Sequence, residues 1–98
     1  LSILFYIRKK GTSDPNMATI YLRITVNGKR AEVSTMRKVP ISKWNAKANK
    51  VMGYTREAKQ TNRNLDIIKN RLYEQSEQNI IFAITNISLN AFDYKVSQ

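Results

Sequence analysis

Alternating apolar and polar residues in the first 40 positions predict three β-strands. In residues 2–9, apolar side chains at positions 3, 5 and 7 alternate with Tyr6 and Arg8, and residues 17–26 repeat the pattern from Ala18 to Val26. The intervening "KKGTSDPN" is rich in turn-forming residues and predicts a loop. Residues 29–38 supply the third strand.

The dipeptide Asn27-Gly28 predicts a two-residue hairpin turn, because a type I′ turn requires positive φ at both central positions. Such a turn fixes the pairing of the second and third strands, and a slip by one residue would mix their apolar and polar faces. The predicted pairs are Val26–Lys29, Thr25–Arg30, Ile24–Ala31, Arg23–Glu32, Leu22–Val33, Tyr21–Ser34, Ile20–Thr35 and Thr19–Met36.

The alternation stops after residue 38. Pro40 ends the third strand, Ser42 is suited to cap a short turn, and Gly53 marks a second break. Trp44 is the only Trp of the chain, and we expect it to close one end of the core.

A helical period then predicts an α-helix over residues 55–79. Thr55 is a suitable N-cap, and Glu57 in the first turn complements the helix dipole. The predicted apolar face consists of Ala58, Leu65, Ile68 and Leu72. A helix of about 25 residues would be roughly 37 Å long, which is more than a three-stranded sheet covers.

The last residues are mixed in character. Residues 80–84 are apolar, and Thr85 or Ser88 could cap a short helix that holds Leu89 and Phe92. We therefore divide the chain into one domain, residues 1–79, and a C-terminal tail or linker, residues 80–98.

Together these elements predict an α+β fold in which a three-stranded antiparallel sheet packs against one long α-helix. The predicted core consists of Ile3, Phe5, Ile7, Ile20, Leu22, Ile24, Val33, Trp44, Leu65, Ile68 and Leu72.

Charge adds a functional expectation to this fold. The chain has 98 residues, with 17 Lys and Arg against 7 Asp and Glu, for a net charge of +10. The excess is +6 in residues 1–40, +4 in residues 41–60 and zero in residues 61–98. A positive field of this size favours a polyanionic partner. No apolar run reaches the ~18 residues of a membrane span, and a cytosolic module without a membrane partner is the simplest interpretation.

The residue types argue against catalysis in this chain. It contains no His and no Cys, so the usual general base, nucleophile activator and metal ligands are missing. No carboxylate pair has suggestive spacing, and the three glycines at 11, 28 and 53 form no phosphate-binding loop. We therefore expect no enzymatic activity, no cofactor and no metal. The absence of an initial Met indicates a piece of a longer protein.

The polar face of the predicted sheet is the candidate binding surface. A narrow antiparallel ribbon can enter the DNA major groove, which is about 12 Å wide, where Arg reads guanine edges and Thr or Met contacts the thymine methyl. We predict groove contacts from Arg8, Tyr21, Arg23, Arg30 and Ser34, and phosphate contacts from Lys9, Lys10, Lys29 and Lys38. Tyr6, Thr25 and Met36 complete the predicted DNA-binding set.

Four alternatives remain open at this point. The polar face could be ordinary solvated surface, with Arg23 and Glu32 forming only a cross-strand ion pair. Tyr6 and Tyr21 could instead stack on bases of single-stranded RNA. A protein-interaction module would use the helix or tail, and a purely structural domain would bind nothing.

Several segments resemble a known family. The strand "FYIRK", the hairpin "IYLRITVNGKRAEVST", the segment "VPISKWN" and the helical "NRNLDIIKNRLYE" are similar to the N-terminal arm-type DNA-binding domain of tyrosine recombinases from Bacteroides-like mobile elements. The resemblance covers about residues 3–79. The family often has a Gly near position 36, where this chain has Met36.

The resemblance implies recognition of double-stranded DNA at arm sites by a sheet inserted in the major groove. It also implies that the catalytic domain of a phage- or conjugative-transposon-type integrase lies further along a longer chain. Other integrase protomers would be partners through the long helix or tail. The location would be the bacterial cytoplasm, associated with the nucleoid when bound to DNA.

Overall fold

The computed structural model describes residues 1–9, 13–26 and 28–74, together with the backbone of residues 94–97. Its strands are β1 (Ser2–Arg8), β2 (Met17–Val26), β3 (Lys29–Pro40), β4 (Trp44–Asn45), β5 (Lys50–Val51) and β6 (Tyr94–Ser97). A short 3-10 helix covers Ile41–Lys43, and one α-helix, α1, covers Arg56–Tyr73. Within this described part of the chain, no helix is long and apolar enough to cross a membrane.

The predicted α+β fold is confirmed, since β1, β2 and β3 form an antiparallel sheet accompanied by one α-helix. The sheet also has a fourth strand, which the sequence analysis did not predict. β6 pairs antiparallel with the first part of β3, from Arg30–Ser97 to Val33–Tyr94. The short helix predicted around Leu89 and Phe92 lies outside the described residues.

The predicted hairpin register is confirmed from the turn as far as Tyr21–Ser34. Beyond that pair, Thr19 lies opposite Lys38 and Met17 opposite Pro40. The predicted pairs Ile20–Thr35 and Thr19–Met36 are therefore wrong. β3 has two more residues than β2 between the Tyr21–Ser34 and Thr19–Lys38 pairs, which is a β-bulge.

Side-chain hydrogen bonds hold this bulge together. The Thr35 hydroxyl donates to the Ile20 carbonyl at 2.7 Å, and the Ser34 hydroxyl accepts from the Met36 amide at 3.1 Å. The Arg37 amide donates to Thr35 Oγ1 at 3.3 Å. Met36 adopts a φ of 60°, in the left-handed region that favours glycine.

The core lies between the apolar face of the sheet and α1. Phe5, Ile20, Leu22, Ile24, Val33, Leu65, Ile68 and Leu72 are buried as predicted. Ile3, Ile7 and Trp44 are only partly buried and pack against this cluster. Val39 and Val51 complete the core from β3 and β5.

Helix α1 begins as predicted, with the Thr55 side chain accepting a hydrogen bond from the Ala58 amide at 3.1 Å. It has 18 residues and ends at Tyr73, with Glu74 as its C-cap. At 1.5 Å per residue the helix is about 27 Å long. The rest of the predicted helix, residues 75–79, lies outside the described residues.

Two asparagine side chains join the small β4–β5 hairpin to the rest of the fold. The Asn49 amide accepts from the Phe5 amide at 2.9 Å and donates to the Phe5 carbonyl. The Asn62 amide likewise accepts from the Val51 amide and donates to its carbonyl, both at 2.9 Å. Each side chain thus takes the place of a strand partner, fixing the hairpin to β1 and to α1.

Candidate nucleic-acid interface

The polar face of the main sheet is built from alternate residues of β1, β2 and β3. Strand register places Tyr6 beside Tyr21, and Arg23 beside Glu32. Arg8 lies beside Thr19, which in turn lies beside Lys38. The alternation predicted from the sequence therefore brings cations and aromatic rings together on one surface.

Two tyrosines and two arginines interleave at the centre of this face. The Tyr6 and Tyr21 ring centroids are 5.9 Å apart, with an angle of 32° between the planes. Arg23 Cζ lies 4.9 Å from the Tyr6 centroid, and Arg8 Cζ lies 5.2 Å from that of Tyr21. Both distances are within the range of cation–π attraction, so each ring holds one guanidinium in place.

Glu32 joins the two arginines. Its Oε1 accepts hydrogen bonds from Arg23 Nε at 3.3 Å and Nη2 at 3.2 Å, and its Oε2 lies 3.7 Å from Arg8 Nη1. The cross-strand ion pair that the sequence left open is thus present. Arg8 and Arg23 nevertheless keep 44% and 34% of their side-chain surface exposed, so both can still meet a ligand.

The Tyr6 hydroxyl lies beneath this network. Burial raises the pKa of Tyr6 above its usual value of 10, the Glu32 carboxylate raises it further, and Arg23 opposes these effects. The buried Tyr6 hydroxyl is close enough to Glu32 and Arg8 for both to influence its pKa, Glu32 raising it and Arg8 lowering it, although neither contact has full hydrogen-bond geometry. The hydroxyl therefore stays protonated at neutral pH and acts as a structural part of the face.

The other predicted contact residues differ in accessibility. Ser34 is only 5% exposed, and its hydroxyl is occupied by the Met36 amide, so we leave it out of the contact surface. Thr25 is half-buried. Lys10 lies outside the described residues. The exposed members are Lys9, Lys29, Arg30, Met36 and Lys38.

The width of the sheet changes along its length. At the end that carries Arg8 and Lys38, it consists of three strands, whereas β6 adds a fourth beside Arg30–Val33. With strands about 4.8 Å apart, the outer strands are roughly 10 Å apart at the narrow end and roughly 14 Å apart at the wide end. The narrow end is the better match to a major groove about 12 Å wide.

A second basic surface, which the sequence analysis did not assign, lies on the helix side of the sheet. It is an open groove of about 660 Å³ lined by Arg37, Tyr54, Arg56, Lys59, Gln60, Arg63 and Asn64. Positions 56, 59 and 63 share one helical face, so helical spacing combined with the +4 balance of residues 41–60 was the available signal. Arg37 alternates with Lys38 and therefore lies on the helix side of β3, but its contact with α1 has no signal in the sequence.

Among the described residues, no group of three or more His, Cys, Asp or Glu side chains is placed to hold a metal ion. Both surfaces present guanidinium or ammonium groups, which suit anionic ligands.

Comparison of the sequence with known protein families identifies one that matches most of the chain. A family model described as an arm DNA-binding domain matches residues 5–91, which includes the second half of β1, all of β2 and β3, the β4–β5 hairpin and α1. No curated protein and no solved structure gives a match.

Proposed function

Since the chain belongs to the arm DNA-binding domain family, whose members are non-catalytic DNA-binding modules of integrase-type proteins, we propose that it recognises arm sites sequence-specifically for a tyrosine recombinase. In this proposal the polar face of the sheet enters the major groove of double-stranded DNA. The catalytic domain belongs to another part of a longer, cytoplasmic protein of a mobile element. In the same proposal, protomers of this longer protein associate with one another on DNA.

The observation that carries the proposal is the Arg8–Tyr21 and Arg23–Tyr6 stack. Guanidinium groups that are already fixed by rings and by Glu32 lose little side-chain entropy when they bind. Their planar forks suit the O6 and N7 acceptors of guanine. Surrounding lysines at 9, 29 and 38 are exposed and suit phosphates, which position the sheet without reading sequence.

The same stack weighs against single-stranded RNA as the ligand. Base recognition by a sheet needs open aromatic faces on which bases can stack. Here Arg23 lies over Tyr6 and Arg8 lies over Tyr21. A competition measurement between duplex DNA and RNA of the same length tests this, and we expect the duplex to compete at least tenfold better.

The main test replaces the stacked arginines. We expect Arg23→Ala to weaken binding to a specific duplex by about 1–3 kcal/mol, roughly 5- to 150-fold, because a bidentate base contact is lost. Arg71→Ala is the matched control, since Arg71 is an exposed arginine near the end of α1. Fluorescence anisotropy measures the affinity, and thermal unfolding of each variant checks that the fold is intact.

Salt dependence separates base contacts from phosphate contacts. Five phosphate contacts would give a slope of log K against log salt of about −4.5. Replacing Lys38 by Ala should reduce that slope by about one unit and weaken all duplexes equally. Unchanged affinity after Arg8 and Arg23 are both replaced by Ala would refute the sheet as the reading surface.

A further inference from the structure

We propose that the groove between α1 and the β3 bulge binds the phosphate backbone of a second DNA duplex, while the polar sheet face holds the first. The domain would then bridge two DNA segments by itself. The assignment of the first duplex to the sheet rests on the proposed function above. The assignment of phosphates to the groove rests on the groove alone.

The positive charge of the groove is not compensated by its own lining. Four cations line the groove, Arg37, Arg56, Lys59 and Arg63, and no acidic side chain is among the lining residues. Glu32 forms ion pairs with Arg8 and Arg23 on the sheet face. Among the described residues, none of the four groove cations takes part in an ion pair. Four like charges around one groove repel each other, and a polyanion removes that repulsion.

The Arg37 guanidinium is held in place by Asn64. With the Asn64 amide oriented so that its oxygen faces β3, this oxygen accepts from Arg37 Nε at 2.6 Å and Nη2 at 2.9 Å. Arg37 is half-buried and belongs to the strand, whereas Asn64 belongs to the helix. The contact therefore holds one cation at the base of the groove before any ligand arrives, which lowers the entropic cost of binding a phosphate.

The groove cations on α1 also have a spacing that suits phosphates. Arg56 and Arg63 are seven residue steps apart, or about 10 Å along the helix axis. A row of this length can reach about two phosphates of one DNA strand, because successive phosphates rise about 3.4 Å along the DNA axis and also rotate around it. The positive end of the helix dipole lies at the same end of the row, and Tyr54, 92% exposed, offers an aromatic surface for a sugar.

The groove and the polar face lie on opposite sides of the sheet. Lys38 lies opposite Thr19 on the polar face, whereas the preceding Arg37 contacts α1 and the following Val39 is buried in the core. The sheet therefore separates the two cationic surfaces. A short duplex is far below the DNA persistence length of about 150 bp, so it does not bend around the domain to reach both.

The experiment measures capture of one duplex by another. A 20-bp duplex is immobilised, the 98-residue chain is bound to it, and a labelled second duplex is added. The groove variant is Lys59→Ala with Arg63→Ala. The matched control is Lys69→Ala with Arg71→Ala, which removes one Lys and one Arg from exposed positions of the same helix. Light scattering counts protein chains per captured duplex, and thermal unfolding checks each fold.

We expect the groove variant to bind the first duplex within about threefold of the parent chain and to lose at least tenfold in capture of the second. The control should retain both. The proposal is overturned if the groove variant captures the second duplex as well as the control does. It is also overturned if captured complexes contain two protein chains, because protein association would then bridge the duplexes.

A sheet variant separates this inference from the proposed function. Arg8→Ala with Arg23→Ala should abolish binding through the sheet face. Only weak, salt-sensitive binding of duplex through the groove should remain. If that variant binds the first duplex normally and the groove variant does not, the sheet assignment and the bridging model both fail. If the sheet variant loses binding but the groove variant still bridges, the inference alone fails.

Discussion

The sheet face and the helix-side groove are both basic, but their cations are arranged differently. On the sheet, Arg8 and Arg23 share Glu32 and lie over tyrosine rings, so that this cluster has a net charge of only +1. In the groove, four cations meet without an acidic residue. An ordered cluster of low charge suits base edges, whereas a loose cluster of high charge suits phosphates. Net charge counted along a sequence does not make this distinction.

The largest expected effect concerns the core that supports both surfaces. Leu22 is fully buried between Phe5 and Val33 in the centre of the sheet. We expect Leu22→Ala to lower the free energy of unfolding by about 2–5 kcal/mol, because it removes buried methyl groups and leaves a cavity. Binding at the sheet and at the groove should weaken together. Urea denaturation measures the loss.

Leu4→Ala is the control for this change. Leu4 belongs to β1 and is 43% exposed on the other side of the sheet. Its replacement should cost less than about 1 kcal/mol, since little area is returned to water. Equal losses for the two leucines would mean that the two surfaces do not share the core described here.

The second largest expected effect concerns the Asn62 side chain. Its loss should lower the stability of the domain and weaken binding at the groove more than binding at the sheet. Its amide satisfies both backbone groups of Val51 and thereby holds α1 to the small hairpin. We expect Asn62→Ala to destabilise the domain by about 1–3 kcal/mol, because two partly buried polar groups lose their partner. Asn70→Ala, at an exposed position of the same helix, controls for helix propensity. A similar result for both variants in urea denaturation would contradict this role.

Removing the charge of Glu32 would make the sheet face resemble the groove, which has no acidic residue in its lining. We expect Glu32→Gln to strengthen binding of any duplex several-fold at low salt, because one negative charge leaves the contact face. Discrimination between specific and random duplexes should fall, since Arg8 and Arg23 lose their common acceptor. The pKa of Tyr6 should also fall, because the Glu32 carboxylate raises it.

Glu74→Gln is the control for Glu32, since it removes the same charge from the end of α1. Anisotropy titrations with specific and random duplexes measure the discrimination, and NMR titration of the tyrosine ring carbons follows Tyr6. Unchanged discrimination after Glu32→Gln would show that the carboxylate does not orient the two arginines.

Much of the sheet face could be predicted because period-two alternation and the Asn27-Gly28 turn act locally. Together they place Arg23 beside Glu32 and Tyr21 beside Ser34 without knowledge of the rest of the fold. Alternation does not reveal that Ser34 is only 5% exposed, or that its hydroxyl accepts a hydrogen bond from the Met36 amide in the bulge that follows. Accessibility depends on the three-dimensional path of the chain, which alternation does not contain.

The bulge itself is invisible to pattern analysis for a specific reason. It adds two residues to β3, so every later side chain keeps its face while changing its partner. The hydrophobic pattern is the same with or without it. The two asparagine side chains that fix the small hairpin cannot be predicted for another reason. Asn49 and Asn62 form hydrogen bonds with backbone groups that are 44 and 11 residues away. Polar residues in a loop and on a helix carry no sign of such partners.

The smallest expected effect concerns Met36, at the point where β3 presents Lys38 to one surface and Arg37 to the other. Its φ of 60° places a side chain in the left-handed region, at a cost of about 1–2 kcal/mol relative to glycine. Met36→Gly relieves that cost but increases the conformational entropy of the unfolded chain, and the net gain should be up to about 1 kcal/mol. Met36→Ala removes the exposed side chain and keeps the Cβ atom. The difference in unfolding free energy between the Gly and Ala variants therefore reports the backbone strain less the entropy that Gly adds to the unfolded chain, and Gly should be the more stable by up to about 1 kcal/mol. Equal stability would mean that the bulge has another conformation in solution, in which Met36 does not adopt a positive φ.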